Sequence, residues 1–349
     1  GAGLLPYGAR QEMGADMTAI CVDVMGSDKG PEVVLEGVAQ ALAADSDLTV
    51  LVAGADEYVT PFCEKQDGAR PLGTTEGIHI DEHPAKAIRT KKDSSLVRAS
   101  AAVHAGEAEG LCSFGSTGAV LTAATFGIGR IKGIKRPALA LPCPGVGGHK
   151  TVMLDLGANA DVKPEVMVQF AHMGRAYAKV ALGTDNPKVG LLSNGSEDTK
   201  GSEMTLAYHA ALAEGNCGFV VNAEVTDILN GTVDVIVTDG FTGNVALKSI
   251  EGTAKFLVAQ IKEQAGSSKK TAIGALLMKP ALKTVASELS GDRYGGAVLL
   301  GLRAPVVKGH GSSNAAAVKA ATLACAEVVR ARLPLEIQQS CSLTNDRVQ

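Results

Sequence analysis

The sequence predicts an α/β protein in which a mostly parallel β-sheet is covered by helices on both faces. Of its 349 residues, 46% are hydrophobic and 20% are charged, which is enough apolar material for a sizeable core. Short apolar runs rich in β-branched residues alternate with helical patterns, an order typical of parallel sheets. Several runs end in glycine-bearing loops, where open α/β sheets bind their ligands. No fixed-period repeat or low-complexity linker divides the chain.

The individual elements are predicted from the apolar runs and from the residues that begin or end them. Pro31 suits the first position of a helix, since its missing N–H would have no partner there. The run from 306 to 308 predicts a last strand before an amphipathic C-terminal helix. The strands predicted on these grounds are 19–25, 48–53, 111–114, 151–156, 188–193, 233–238 and 306–308. The helices are 32–44, an Ala/Leu-rich helix after 118, 164–181 and 315–332.

These elements are assigned to one α/β domain spanning residues 18–335. Residues 1–17 lack the basic region and apolar run of a signal peptide, so they are interpreted as a leader or tag. Residues 336–349 are interpreted as a C-terminal tail. The uncharged stretch 110–129 has the length of a membrane span, but its serines, threonines and glycines make it too polar for one.

A helical hairpin at about 255–289 departs from the overall acidic balance. Between 255 and 283 there are six lysines and one acid, so this segment carries about +5 and the rest of the chain about −9. Ile273 and two leucines predict an apolar face, and Pro280 predicts an interruption of the second helix. The hairpin is either a solvated pair of surface helices or a docking surface for an acidic protein or an anionic membrane. The contact residues of the second alternative are Lys262, Lys269, Lys270, Lys279, Leu276 and Leu277.

Several function classes lack their signatures. There is no Trp and aromatic residues are only 3%, which argues against nucleic-acid binding on stacked rings. No Walker A loop, zinc spacing or complete dinucleotide fingerprint occurs. The sequence after Gly311 lacks the last glycine of a nucleophile elbow, so Ser312 is expected to be a helix cap or an anion ligand. The seven cysteines contain no CxxC and are interpreted as free buried thiols in a reducing cytosol.

Four loops remain that suit an anion. Free N–H groups and the positive dipole end at the start of a helix favour phosphate. The loops contain glycine together with hydroxyl, amide or lysine donors, and no nucleophilic triad or metal motif accompanies them. Chemistry by positioning and electrostatic stabilisation is therefore expected. The four loops are 115–118, 194–201, 239–244 and 310–314.

These loops, in this order, resemble those of the PlsX family, the bacterial phosphate acyltransferases of phospholipid synthesis. The resemblance runs from about residue 20 to 331. Three places depart from the family pattern: Ser27 stands where a glycine is usual, Ser116 stands where an asparagine is usual, and 195–199 (GSEDT) stands where a Gly-Glu-Glu stretch usually precedes the Lys-Gly pair. The blocks that carry the resemblance are 22–31 (VDVMGSDKGP), 91–96 (KKDSSL), 115–119 (GSTGA), 129–134 (GRIKGI) with 136–138 (RPA), 154–164 (LDLGANADVKP), 186–187 (NP), 189–192 (VGLL), 200–201 (KG), 239–245 (DGFTGNV), 294–296 (YGG) and 310–313 (HGSS).

The resemblance implies transfer of a long acyl group from acyl carrier protein to inorganic phosphate, which gives an acyl phosphate. It implies a three-layer α/β/α sandwich related to isopropylmalate dehydrogenases and phosphotransacetylases, with the hairpin protruding. A cytoplasmic homodimer without a cofactor is expected, in peripheral contact with the membrane. A membrane glycerol-3-phosphate acyltransferase is expected as its downstream partner.

The site residues follow from the chemistry of that reaction. Lys200 is expected to anchor phosphate and Asn244 to donate to the oxyanion of the attacked thioester. The alternatives for these two side chains are a surface charge near a helix start and a helix cap. His310 has a structural role as its alternative. The residues expected to line the phosphate site are Asp28, Ser116, Thr117, Asn194, His310 and Ser312.

Two other functions stay open on the sequence alone. One is a coenzyme A-linked phosphotransacetylase or a dehydrogenase on the related fold. The other is a non-catalytic scaffold that recruits enzymes of lipid synthesis through the hairpin, for which Lys200 and Asn244 would be dispensable.

Overall fold

One sheet organises the chain, and the apolar runs of the sequence form most of its strands. The computed structural model describes residues 17–79, 81–289 and 295–345. Within these residues there are eleven strands: β1 (Thr18–Asp23), β2 (Leu48–Ala55), β3 (Ala69–Thr74), β4 (Gly110–Ser113), β5 (Ala138–Pro144), β6 (Lys150–Leu154), β7 (Val189–Leu192), β8 (Phe219–Ala223), β9 (Val235–Val237), β10 (Ala297–Leu300) and β11 (Val306–Lys308).

Helices cover both faces of this sheet. The helices in the same described ranges are α1 (Pro31–Ala44), α2 (Asp56–Cys63), α3 (Pro84–Thr90), α4 (Ser95–Ala105), α5 (Thr117–Gly127), α6 (Pro164–Leu182), α7 (Glu203–Glu214), α8 (Val225–Asn230), α9 (Gly240–Ala265), α10 (Lys269–Leu289), α11 (Ala315–Arg330) and α12 (Leu333–Asn345).

Alternation along the strands produces two separate cores. In β1 every residue is buried: Ile20 and Val22 belong to one core, and Cys21 belongs to the other. The first core is closed by α1, α6, α7, α11 and α12, and the second by α3, α4, α5, α8 and α9. The predicted three-layer sandwich is therefore confirmed.

The sheet consists of two parallel blocks that run in opposite directions. Its order is β3-β2-β1-β4-β11-β10-β5-β6-β9-β7-β8. The strands from β3 to β11 are mutually parallel, and so are those from β6 to β8. The pairs β11–β10, β10–β5 and β5–β6 are antiparallel and reverse the direction between the blocks. The predicted sheet is thus confirmed as mostly parallel, and its antiparallel centre is a further finding.

Two regions differ from the sequence predictions. Pro280 does not interrupt the second hairpin helix, because α10 continues through it from Lys269 to Leu289. Where a tail is predicted from 336 onward, the chain continues in α12, whose Ile337 is buried against the first core. The predicted leader, apart from Met17, lies outside the described residues, as do Tyr294 and residues 346–349.

Candidate active site

The loops after β1, β4 and β11, here called the first loop set, meet at the carboxyl ends of their strands. The backbone N–H of Asp28 donates to the carbonyl oxygen of Gly311 at 2.9 Å, and Ser27 Oγ donates to the same oxygen at 3.2 Å. A Cβ atom at Gly26 would lie 2.6 Å from the backbone nitrogen of Gly115, so only glycine permits this approach. Residues distant in sequence are thereby fixed around one small region.

A buried carboxylate supports the first loop set from below. The Oδ1 and Oδ2 atoms of Asp23 accept hydrogen bonds from Ser95 Oγ and Ser113 Oγ, both at 2.7 Å. Ser113 Oγ in turn accepts from the backbone N–H of Gly115 at 3.2 Å. Burial raises the pKa of Asp23, and the bonds from the two serines oppose that rise. This chain of bonds holds the start of the 115–118 loop.

The predicted phosphate-lining residues of the first loop set lie together. Ser116 is the N-cap of α5 and accepts from the backbone N–H of Ala119 at 3.3 Å, while Thr117 is the first residue of that helix. Both side chains are half-buried. Asp28 is exposed, and its carboxylate lies beside Gly311.

His310 and Ser312 form a pair on the exposed side of this loop set. Ser312 Oγ lies 2.8 Å from His310 Nδ1. The expected capping role of Ser312 is wrong, because Asn314 is the N-cap of α11 and its side chain accepts from the N–H of Ala317 at 2.9 Å. The hydroxyl of Ser312 therefore remains beside the histidine, where it can contact an anion.

A second loop set follows β6, β7 and β9. In it Asp155 is buried, and its carboxylate accepts from the N–H groups of Leu139, Ala158 and Asn159 at 2.7–3.0 Å. Burial raises the pKa of Asp155, while these bonds lower it. The Gly240 N–H donates to the carbonyl oxygen of Asn159 at 2.7 Å, which joins the loop after β6 to the start of α9.

Asn244 lies at this junction. Contrary to the expectation of a loop residue or a cap, it is inside α9, because Asp239 caps that helix by accepting from Thr242 N–H at 2.7 Å. The Asn244 side chain is half-buried beside Gly157, whose φ of +119° few residues other than glycine adopt. Its amide is thus presented where the β6 and β9 loops meet.

Lys200 lies in the loop after β7, as predicted. The loop is held by Asn222 of β8, whose Nδ2 donates to the carbonyl oxygen of Glu197 at 2.9 Å. The Lys200 ammonium is exposed and lies 3.9 Å from a carboxylate oxygen of Glu197. Asn194 is exposed in the same loop, before the buried Gly195.

The two loop sets leave the sheet in opposite directions. Across the antiparallel centre, Val307 pairs with Val298, Val298 with Ala140, and Ala140 with Leu154. The carboxyl ends of β11 and β6 therefore lie at nearly the same height along the strand direction. Three strand spacings, about 14 Å, separate them across the sheet. In the described part of the chain no hydrogen bond or ion pair joins Lys200 to Asn244 or to the first loop set.

The predicted hairpin is formed by α9 and α10, which contact each other. Leu276 is 68% exposed and Leu277 is 78% exposed, and the four predicted contact lysines are exposed as well. Within the described residues, no helix has the length and apolar character to cross a membrane.

The described ranges contain neither a metal-binding cluster nor a disulfide. No group of three His, Cys, Asp or Glu side chains is arranged to hold a metal ion there. All seven cysteines are free thiols, and five of them are buried. Burial raises the pKa of Cys143 and of Cys325 to about 12, so these thiols are unreactive.

Two supporting residues, Asp23 and Asp155, lie within the motifs 22–31 and 154–164 but are not among the site residues predicted from the sequence. Both are acids that lie in an apolar strand or directly after one. Burying a carboxylate there is unfavourable unless it accepts hydrogen bonds. An acid at the end of such a run is therefore a signal that loop backbone converges on it.

Comparison with known proteins covers nearly the whole chain. A family described as "Fatty acid synthesis protein" matches residues 18–335. The chain is 46% identical over 299 residues to a phosphate acyltransferase of Lysinibacillus sphaericus (strain C3-41), covering 86% of this chain and 91% of that protein. It is 45% identical over 315 residues to a phosphate acyltransferase of Lacticaseibacillus casei (strain BL23), covering 89% and 92%.

Solved structures share the fold at low sequence identity. A phosphotransacetylase from Streptococcus pyogenes superposes with a TM-score of 0.56 at 17% identity, covering 93% of this chain and 97% of that one. A branched-chain phosphotransacylase from Enterococcus faecalis V583 also gives 0.56, at 16% identity, covering 91% and 99%. These similarities support the α/β sandwich.

Proposed function

Because the chain belongs to the fatty acid synthesis protein family of PlsX-type phosphate acyltransferases, we propose that it transfers a long-chain fatty acyl group from acyl carrier protein to inorganic phosphate. The product is an acyl phosphate for phospholipid synthesis. The chain is a transferase, since relatives at 45–46% identity are phosphate acyltransferases. The observation that supports phosphate as the acceptor is the first loop set, in which three loops converge on the open end of α5.

The proposed reaction is an attack by a phosphate oxygen on the thioester carbonyl. A C–O bond forms, the carbonyl oxygen becomes an oxyanion, and the C–S bond then breaks to release a thiolate that takes a proton from water. A thiol with a pKa near 8.5 is a good leaving group, so a strong acid is not needed. The requirements are to hold a dianion next to the thioester and to stabilise the oxyanion.

The site residues divide these tasks. Ser116, Thr117, His310 and Ser312 offer hydroxyl, imidazole and helix N-terminal donors to phosphate, and Asp28 holds the loop that borders them. Asn244 donates to the oxyanion from the first turns of α9. Lys200 and Asn194, on the neighbouring loop, supply charge and amide donors to the reacting anion.

The hairpin has a separate task in this proposal. Its exposed lysines and leucines form a cationic and apolar surface, which suits either acidic acyl carrier protein or an anionic membrane surface. The proposal includes a homodimer acting at the cytoplasmic side of the membrane, where a glycerol-3-phosphate acyltransferase would consume the acyl phosphate.

Thiol release tests the reaction directly. The purified full chain is mixed with long-chain acyl carrier protein, and free thiol is followed with and without inorganic phosphate, with no metal or nucleotide added. We expect release only with phosphate, together with formation of acyl phosphate. Equal release without phosphate would identify a thioesterase and overturn the proposal.

A parallel assay with long-chain acyl-coenzyme A separates the donors. Faster release from the coenzyme A thioester than from the carrier protein would favour a phosphotransacetylase instead. No release from either donor would leave only a scaffold role.

A further inference from the structure

Lys308, the last residue of β11, is a half-buried cation without a bonded partner among residues 17–79, 81–289 and 295–345. Its ammonium makes no hydrogen bond and no ion pair with any residue that the structure describes. Lysine is seldom enclosed in this way, because removing an ammonium from water is unfavourable unless an anion compensates it. A compensating group is therefore expected to bind there.

The position of Lys308 links it to the first loop set. Its neighbour Gly309 donates its backbone N–H to the carbonyl oxygen of Ser113 at 2.9 Å, and His310 follows directly. Side chains alternate along a strand, so Lys308 is on the same face as Val306, which belongs to the second core together with residues of α5 and Ala246 of α9. Lys308 thus lies on the face covered by α5 and α9, at the end of β11 where the anion-suited loops begin.

Helix α9 crosses this face from one loop set toward the other. Near its start, Asn244 is beside Gly157 of the second loop set. Two turns later, the charge of Glu251 acts on Cys143, which lies near the carboxyl end of β5. Lys248 is one turn beyond Asn244, about 6 Å along the axis, and therefore faces the region between the loop sets.

Lys248 and Lys308 influence each other in this region. The pKa of Lys308 is lowered, first by burial and then by the charge of Lys248, and Asp28 opposes this only in part. The other lysine of the first loop set, Lys29, is exposed. Two ammonium groups and one carboxylate leave a net positive charge beside free backbone and hydroxyl donors, which suits a dianion.

We propose that Lys308, assisted by Lys248, binds the phosphate dianion between β11 and α9 and so holds it between the two loop sets. This assignment rests on the proposed acyl transfer to phosphate and adds a residue to it. With phosphate held there, Asn244 is one helical turn from Lys248, on the side of the second loop set. The attacking phosphate oxygen and the Asn244 amide, which donates to the oxyanion, then lie beside the same helix, α9.

Calorimetric binding of inorganic phosphate to the full chain tests this placement without requiring turnover. Lys308→Met should weaken phosphate binding about 10-fold or more, the scale of losing one charge-assisted hydrogen bond. Lys308→Arg should restore most of the affinity, because the charge is retained. Lys248→Met should have a smaller effect in the same direction. Lys65→Met, at an exposed lysine beyond α2, is the matched control and should bind like the wild type.

Steady-state kinetics separate a binding role from general damage. Lys308→Met should raise KM for phosphate and leave KM for acyl carrier protein within about twofold. Wild-type phosphate affinity in folded Lys308→Met would overturn the assignment. If that variant does not fold, unchanged affinity in Lys248→Met, whose side chain is exposed, would count against the site equally. If the wild type binds phosphate through Lys308 but never releases thiol, the acyl transfer fails while the binding site stands.

Discussion

At the residue scale, two buried carboxylates determine where the loops of the site lie. Asp23 holds Ser95 and Ser113, and Asp155 holds the backbone of the loop after β6. In both cases burial raises the carboxyl pKa and hydrogen bonds oppose it. A carboxylate that accepts several bonds in a core cannot be replaced by an apolar side chain without leaving donors unpaired. These acids therefore act by positioning the loops.

The pair of His310 and Ser312 shows how the exposed donors are oriented. With the Ser312 hydroxyl donating to Nδ1 of His310 at 2.8 Å, the histidine proton resides on Nε2, where it is a donor to an anion. This tautomer favours phosphate.

The main kinetic prediction for single residues concerns Lys200 and Asn244. Lys200→Ala and Asn244→Ala should each reduce turnover about 100-fold or more, the scale of losing one preorganised donor in a site of this type. Turnover is measured as phosphate-dependent thiol release at saturating substrates. Lys188→Ala, an exposed lysine before β7, is the control and should retain wild-type turnover.

Folding of these variants is checked by thermal denaturation. Lys200 is exposed, so its loss should barely change stability. A near-normal rate in either variant removes that residue from the mechanism.

At the element scale, α9 joins the second loop set to the hairpin. It begins at a capped junction with the β6 loop, crosses the second core through Ala246, and continues as the first arm of the hairpin. With 26 residues it is about 39 Å long. Its distal half carries the exposed Phe256, Leu257 and Ile261, and Ile273 of α10 is exposed as well. Exposed apolar area of this extent on one hairpin is typical of a contact surface.

The hairpin charges provide a second prediction. Replacing Lys262, Lys269, Lys270 and Lys279 with Glu should raise KM for acyl carrier protein or release the enzyme from anionic vesicles. The effect should shrink in high salt, since exposed charges are screened beyond about 10 Å at 0.1 M. KM for phosphate should barely change, because neither loop set contains these lysines.

Two comparisons sharpen this experiment. Replacing Lys65 and Lys188 with Glu changes exposed charge outside the hairpin and should leave both readouts unaltered. Leu276→Ser with Leu277→Ser should weaken vesicle binding if the apolar stripe enters lipid. If the lysine variant keeps wild-type carrier KM and vesicle binding in low salt, the hairpin has only a structural role.

Helix α6 contains a buried histidine that makes stability depend on pH. Burial, and secondarily the charge of Arg175, lower the pKa of His172 below its ordinary value of 6.5. The folded chain therefore keeps His172 neutral where the unfolded chain protonates it. The unfolded state then binds more protons, and the stabilisation is lost as pH falls from about 6.5 through the lowered pKa.

We expect His172→Gln to reduce this acid sensitivity. The free energy of unfolding, from urea denaturation at pH 7.5 and 5.5, should fall less in the variant than in the wild type. His83→Gln, at an exposed position before α3, should follow the wild type. Identical slopes for all three proteins would show that His172 does not titrate differently on folding.

At the scale of the whole molecule, the reversal of strand direction shapes the site. In a fully parallel sheet all the candidate loops would lie along one edge. Here β10 and β5 divide the sheet, so the first loop set leaves in one direction and the second in the other. The short central strands place the two loop sets at nearly the same height along the strand direction. Helix α9 spans the distance that remains between them. The site is consequently a feature of both halves, joined by one helix.

Much of this arrangement was predictable from the sequence. Local apolar periodicity indicated β1, β2, β4, β6, β7, β9 and β11 and the helices α1, α5, α6 and α11, because periodicity reports burial directly. Loop composition indicated the anion-suited segments for a similarly local reason. The motif order indicated the family, which the match to residues 18–335 confirmed. Less regular strands were not predicted: β5 contains two prolines, and β3 contains a charge and a proline.

Only the tertiary structure decided how these parts are combined. A strand's sequence does not encode the direction of its neighbour, since both parallel and antiparallel partners bury the same alternating side chains. The sequence therefore could not place Lys200 and His310 in separate loop sets, nor assign the α9 cap to Asp239 instead of Asn244. Lys308 looked like the end of an ordinary strand. Its significance arises from partners far away in sequence, Asp28 and Lys248, which meet it only when the sheet and α9 are assembled.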